Sequence, residues 1–194
     1  MKLAIATLPT FFVEEDKIIT SLFDEGLDYL FLHKEYPHPQ FVERLLNLIP
    51  KKYHKKIFSC NCRLMQEYRL AGSLFSNDST QPMGNEKGKI VGYANNLSHL
   101  KELRKVYDIV CFGPLGRTFH QSAELNEIGK KMINKNTWAF GNIDEENLKK
   151  LTKYGFGGVI LDELIWDNFD SCRSTDYTGL VDRFKRVKKV VDKL

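Results

Sequence analysis

Eight short apolar runs recur along this chain, and amphipathic or polar segments separate them. The runs are residues 3–7, 29–33, 56–60, 73–75, 89–93, 109–112, 137–141 and 158–161. Each has the length and residue types of a buried strand. The intervening segments repeat with helical period. Residues 17–23 place Ile18, Ile19, Leu22 and Phe23 on one face, and residues 41–49 do the same with Phe41, Leu45, Leu48 and Ile49. Further helices are expected over 64–71, 98–106, 122–133 and 145–153. Strict alternation of strand and helix demands a parallel sheet, because parallel neighbours need long crossovers.

Eight strands are the number that closes a (β/α)₈ barrel, and the chain is expected to form one such domain over residues 1–194. A doubly wound open sheet is the alternative topology. At 194 residues the chain falls below the roughly 250 typical of such barrels, so its loops must be short. Residues 77–87, rich in glycine, proline and polar side chains, read as a loop.

Helix punctuation supports these boundaries. Ser98 is expected to cap the helix that follows it. Asp144 before Glu145 and Glu146 puts acids where the helix dipole favours them, and Tyr154-Gly155 provides a stop. The final segment, residues 180–194, sets Leu180, Val181, Phe184, Val187, Val190 and Val191 against Lys185, Arg186, Lys188 and Lys189. This is an amphipathic helix with a solvated basic face.

The net charge of +4 is small and dispersed, so it does not call for a nucleic-acid partner. The first apolar run is too short for a secretory leader and reads as a strand. No stretch approaches the roughly 20 apolar residues of a membrane span. Cys60, Cys62, Cys111 and Cys172 lack a disulfide framework, which suits reduced thiols in the cytoplasm. Cys60 and Cys62 read as a buried thiol pair, since no second pair or nearby histidine completes a metal site. His38, His54 and His99 look like surface or helix-start residues.

Barrel sites sit at the carboxyl ends of strands, which directs attention to the tips. The second run ends in His33-Lys34-Glu35, and side chains two apart share a face. His33 can therefore serve as an acid, base or anion contact at the mouth, with Lys34 turned the other way. Imidazoles titrate near neutrality as a residue type, so His33 and His120 are the candidate proton carriers. Arg63 and Arg117 offer planar forks suited to phosphate. Asp162-Glu163 reads either as a pair of reactive carboxyls or as a helix start.

The ordered set of tip motifs resembles the thiamine-phosphate synthase and TenI family. The resemblance rests on Glu25-Gly26-Leu27-Asp28-Tyr29, Ile90-Val91-Gly92, Asp108 to Pro114, and Ala139-Phe140-Gly141-Asn142-Ile143 with Tyr154-Gly155-Phe156-Gly157-Gly158-Val159. It implies a (β/α)₈ barrel and a transferase joining hydroxymethylpyrimidine pyrophosphate to thiazole phosphate, with Mg²⁺ as cofactor and pyrophosphate released. It further implies that Asn61, Arg63, Thr118, Gly141 and Asn142 stand at substrate-binding positions and that Asp78 ligates the metal, with Arg117, His33 and His120 as replacement contacts. The alternatives are a TenI-like thiazole tautomerase, with His33 or His120 as the relocated histidine, and a barrel that binds thiamine precursors without turning them over.

Several tips depart from the family pattern. Phe31, His33 and Glu35 stand where it has Gln, Arg and Lys, and Cys62 stands where it has a metal-ligating aspartate. Ala94 replaces a serine after strand five. Thr118-Phe119-His120-Gln121 lacks the family's lysine, and Pro114 replaces the tautomerase histidine. Glu163 replaces a phosphate-holding serine, and Asn142 the second glycine of a phosphate cradle.

Overall fold

A computed structural model describes every residue except 37, 76–81, 83, 85–86, 124 and 172–175, with the side chains of 128 and 130 also left aside. The apolar runs form β1 (Lys2–Ala6), β2 (Tyr29–Leu32), β3 (Ile57–Ser59), β4 (Gly72–Leu74), β5 (Lys89–Ala94), β6 (Ile109–Leu115), β7 (Thr137–Gly141) and β8 (Gly158–Leu161). Neighbours pair in parallel around a closed ring, and β8 returns to β1 with Ala4 opposite Ile160. The expected (β/α)₈ barrel is thus the observed fold. The helices are α1 (Glu15–Asp24), α2 (Pro39–Leu48), α3 (Cys62–Glu67), α4 (Leu97–Leu103), α5 (Lys130–Met132), α6 (Glu145–Leu151), α7 (Glu163–Trp166) and α8 (Thr178–Val191).

Period-two alternation divides the strand side chains between two cores. Leu3, Ile5, Leu30, Leu32, Ile57, Val110, Val159 and Leu161 face the helices. Ala4, Phe31, Phe58, Leu74, Val91, Ile109, Cys111, Trp138 and Ile160 fill the barrel. Aromatic rings dominate that interior. Phe31 lies 5.1 Å from Phe58 and 5.9 Å from Trp138, and Tyr29 lies 5.4 Å from Trp138. Gly158 makes room for this plug: a β-carbon there would come within 2.6 Å of the Trp138 ring. Burial pushes the Tyr93 phenol and the Cys111 thiol well up, so the barrel interior carries no charge from either group.

Some helix details differ from the sequence reading. The buried face of α2 is Val42, Leu45 and Leu46, continued by Ile49, whereas Phe41 and Leu48 are each 56% exposed. Two registers one residue apart were open to that sequence, and the barrel selected the one centred on Val42. Asn96, not Ser98, caps α4 by accepting a 2.8 Å bond from the His99 amide. The segment expected as one helix over 122–133 contains a π-helical turn, Leu125–Gly129, before α5. His54 is buried, its Nε2 lying 3.0 Å from the Leu46 carbonyl and 3.1 Å from that of Ile49. Cys60 and Cys62 are both exposed, because residue 60 already lies beyond β3 and residue 62 opens α3.

The amphipathic α8 closes the shell with Leu180, Phe184, Val187 and Val191 buried. Each such side chain contributes about 1.5–3 kcal/mol of apolar burial. Its basic face is partly paired: Lys185 reaches Glu25 at 3.0 Å, and Lys188 lies 3.9 Å from Asp28. Asp28 also accepts from Lys2 Nζ at 2.7 Å and from the Leu3 amide at 3.1 Å, tying β1 to β2 at the amino-terminal end. Among the described residues, no helix is long and apolar enough to cross a membrane.

Candidate functional site

A cavity of about 770 Å³ opens at the carboxyl-terminal mouth of the barrel. Its wall comes from five strand tips. Ala6, Thr7, Leu8 and Pro9 follow β1, His33 follows β2, and Arg117 follows β6. Asn142, Ile143 and Asp144 follow β7, while Asp162, Glu163, Leu164, Trp166 and Asp167 follow β8. The interior aromatic plug forms no part of this wall, so the mouth is where the cavity meets solvent.

Hydrogen bonds hold this wall in shape. Thr7 Oγ1 donates to the His33 carbonyl at 2.8 Å and accepts from its amide at 3.1 Å, fixing the β1 and β2 tips together. Trp166 Nε1 donates to the Ala6 carbonyl at 2.8 Å, and Arg183 Nη1 to the Ile165 carbonyl at 3.0 Å. Arg117 Nε donates to Asn142 Oδ1 at 3.2 Å. Its carbonyl accepts from the buried Asn147 side chain at 3.1 Å. The guanidinium is thereby positioned at the cavity wall.

Beneath the wall lies a buried ion pair. Lys34 Nζ sits 2.5 Å from Glu15 Oε1 and donates to the Leu8 and Thr10 carbonyls, each at 2.9 Å. The side chains are 0% and 2% exposed. Burial pushes the Glu15 carboxyl up and the Lys34 ammonium down, and each partner opposes the other's shift. Lys34 does turn away from His33, and its role is to pin the loop after β1.

The expected site residues do not all converge. His33, Arg117 and Asn142 share the cavity wall. Gly141 lies just beneath it, at φ +127°, where a β-carbon would meet the Leu115 amide at 2.3 Å. Thr118 is exposed beside Arg117. Asn61 uses Oδ1 to cap α3, accepting from Leu64 at 3.0 Å, and Arg63 is exposed on the first turn of that helix. His120 is not on this wall: its ring lies edge-on to Phe119, and its buried Nδ1 has no hydrogen-bond partner among the described residues. Phe31 belongs to the barrel core and cannot reach a ligand.

Sequence reasoning missed Asp144 and Asp167, and the pairing of Glu15 with Lys34. Asp144 was legible as a cap, and it does accept from the Asn147 amide at 2.8 Å. Nothing in the linear chain says that this cap also lines the cavity.

Magnesium is the expected cofactor, and the described residues present no grouped set of ligands for it. Asp78, the expected ligand, lies outside the described residues. Among the described residues, no three His, Cys, Asp or Glu side chains are grouped to hold a metal. Beside Asn61 stands the Cys62 thiol, a soft donor where Mg²⁺ requires oxygen.

A closed parallel barrel with a cavity at its carboxyl-terminal mouth defines a (β/α)₈ protein with a candidate small-molecule site. The solved thiamine phosphate pyrophosphorylase from Bacteroides thetaiotaomicron matches at a TM-score of 0.90 and 36% identity, covering 99% of this chain and 98% of that one. The chain belongs to the thiamine-phosphate synthase and TenI-like family. The thiamine phosphate pyrophosphorylase from Pyrococcus furiosus matches at TM-score 0.76 and 14% identity, over 99% of this chain and 96% of that one. A 3-hexulose-6-phosphate synthase from Salmonella typhimurium shares the fold alone, at TM-score 0.58 and 14% identity over 98% and 100% of the two chains. No protein-family model and no curated protein matches the sequence.

Proposed function

We propose that the chain is a transferase of the thiamine-phosphate synthase type, joining hydroxymethylpyrimidine pyrophosphate to a thiazole with release of pyrophosphate. The observation that carries this reading is the mouth cavity bounded by His33, Arg117 and Asn142, in a chain 36% identical to a thiamine phosphate pyrophosphorylase. In the family's reaction the thiazole carries a phosphate. The bond from the pyrimidine methylene to pyrophosphate breaks, its electron pair leaves with the pyrophosphate, and the thiazole nitrogen closes onto the methylene carbon.

The protein's part is positioning and charge. Arg117, held by Asn142, presents a fixed guanidinium to the departing pyrophosphate, and His33 adds an imidazole donor from across the cavity. Asn61, Arg63, Thr118 and Gly141 stand on neighbouring tips outside the cavity wall and are given no contact in this step. No step is assigned to magnesium.

A second reading, thiazole tautomerisation, draws on His33, the histidine that lines the cavity. The assay separates the two readings. Purified protein is incubated with the pyrimidine pyrophosphate and thiazole substrates, with and without Mg²⁺, and the product is oxidised to thiochrome. Fluorescence above the protein-free control is the expected result. Its absence from folded protein removes the transferase reading, and isomerisation of the thiazole precursor is then assayed directly.

A further inference from the structure

The β7 and β8 tips are where (β/α)₈ barrels commonly hold a substrate phosphate, on backbone amides and the start of a short helix. In this chain three of those amides are already used. The Asn142 amide donates to the Leu115 carbonyl at 2.9 Å, and the Ile143 amide to the Gly141 carbonyl at 2.8 Å. The Glu163 amide, first on α7, donates to Asp162 Oδ1 at 2.6 Å. An aspartate of the chain itself thus takes the place that a phosphate oxygen would need.

The side chains around these amides have the wrong sign for phosphate. Asp144, Asp162, Glu163 and Asp167 line this end, and Arg117 is the guanidinium on the same wall. One of Arg117's donors is committed to Asn142 Oδ1, which acts there as an acceptor. Four acid side chains repel a dianion and favour a cation.

We infer that the β7–β8 end of the cavity takes an uncharged or cationic group in place of a phosphate, so that the acceptor is a thiazole bearing a free primary alcohol. This rests on the transferase reading above. The alcohol's hydroxyl can donate to the carboxyls that would repel its phosphate ester. Joining the thiazole nitrogen to the pyrimidine methylene leaves a positive charge on the thiazolium ring, and the same acids favour it. No other reactant is needed, because the bonding pair of the broken carbon–oxygen bond departs with pyrophosphate.

The test measures kcat/KM with the thiazole alcohol and with its phosphate ester, using one pyrimidine pyrophosphate donor and separating the two thiochrome products chromatographically. The alcohol is expected to be preferred by about tenfold or more, the equivalent of about 1.4 kcal/mol. Preference for the phosphate overturns the inference and leaves the transferase reading standing. Product from neither overturns the transferase reading. Titration calorimetry with the two thiazoles then decides the binding claim: tighter alcohol supports it, while tighter phosphate or no binding overturns it. The charge argument has its own variant, Asp162→Asn with Glu163→Gln, which keeps an acceptor at the cap and the side-chain lengths. It is expected to shift the phosphate-to-alcohol ratio, in rate or affinity, about tenfold toward phosphate. An unmoved ratio refutes the repulsion.

Discussion

Replacing Lys34 with methionine isolates the energetics of the buried pair beneath the cavity wall. The ammonium donates three hydrogen bonds, to Glu15 Oε1 and to the Leu8 and Thr10 carbonyls, and lies 4.6 Å from the Phe11 ring centroid; neither charged side chain sees solvent. Each orphaned carbonyl costs about 1 kcal/mol or more. Breaking a buried pair from one side costs about 3–5 kcal/mol in total, and the full range applies here because the Glu15 carboxyl would be left buried without its ammonium. Lys34→Met is therefore expected to lose about 4 kcal/mol at pH 7.

The loss should depend on pH with a definite sign. Burial already holds the Glu15 carboxyl above its ordinary range, and removing Lys34 removes the main influences that lower it. A carboxyl raised by folding binds its proton more tightly in the fold than in the unfolded chain. The variant therefore gains stability relative to wild type as pH falls toward 5, and loses it as pH rises through the raised value. The double variant Lys34→Met with Glu15→Leu removes both charges and should return to within about 2 kcal/mol of wild type. Urea unfolding followed by circular dichroism at pH 7 and pH 5 measures all four members of the cycle. Additive single losses, or a Lys34→Met loss below about 1 kcal/mol, would refute the reasoning.

Three further outcomes are expected. Phe31→Ala opens a hole in the aromatic plug and should cost about 3–5 kcal/mol by chemical denaturation, since Phe31 is 1% exposed between Phe58 and Trp138. His33→Ala should lower kcat/KM in the thiochrome assay about 100-fold, whereas His120→Ala should leave it unchanged; the reverse order would move the chemistry away from the cavity. Asp28→Asn should cost about 1 kcal/mol at pH 7. Burial pushes that carboxyl up, but the Lys2 and Leu3 hydrogen bonds and the charges of Lys2 and Lys188 outweigh it, so the net shift is downward. The stability from Asp28 is present above the unfolded carboxylate pKa and lost as pH falls through the lower folded value. Urea midpoints of variant and wild type should therefore converge at acid pH.

The barrel was legible in the chain because strand alternation and helical spacing are local, and each apolar run carried its own period. The tips were legible for the same reason: a strand's end and a (β/α)₈ topology place His33 and Arg117 at the mouth before any coordinate is known. Asp162 likewise read as a helix start, and it does cap α7.

What the sequence could not supply is everything that depends on closure. Phe31 read as a lost ligand, yet it is a core residue, because only the closed ring shows how Tyr29, Phe58 and Trp138 fill the space beneath the mouth. His120 read as a match for His33, but the turn after β6 carries its ring to Phe119 and off the cavity wall. Glu15 and Lys34 lie 19 positions apart and meet only because α1 and the β2 tip pack on the same loop. The acids from β7 and β8 become one charged wall only when the barrel brings their two strands side by side. Local periodicity fixes the elements; distance between side chains remote in sequence is a property of the closed sheet.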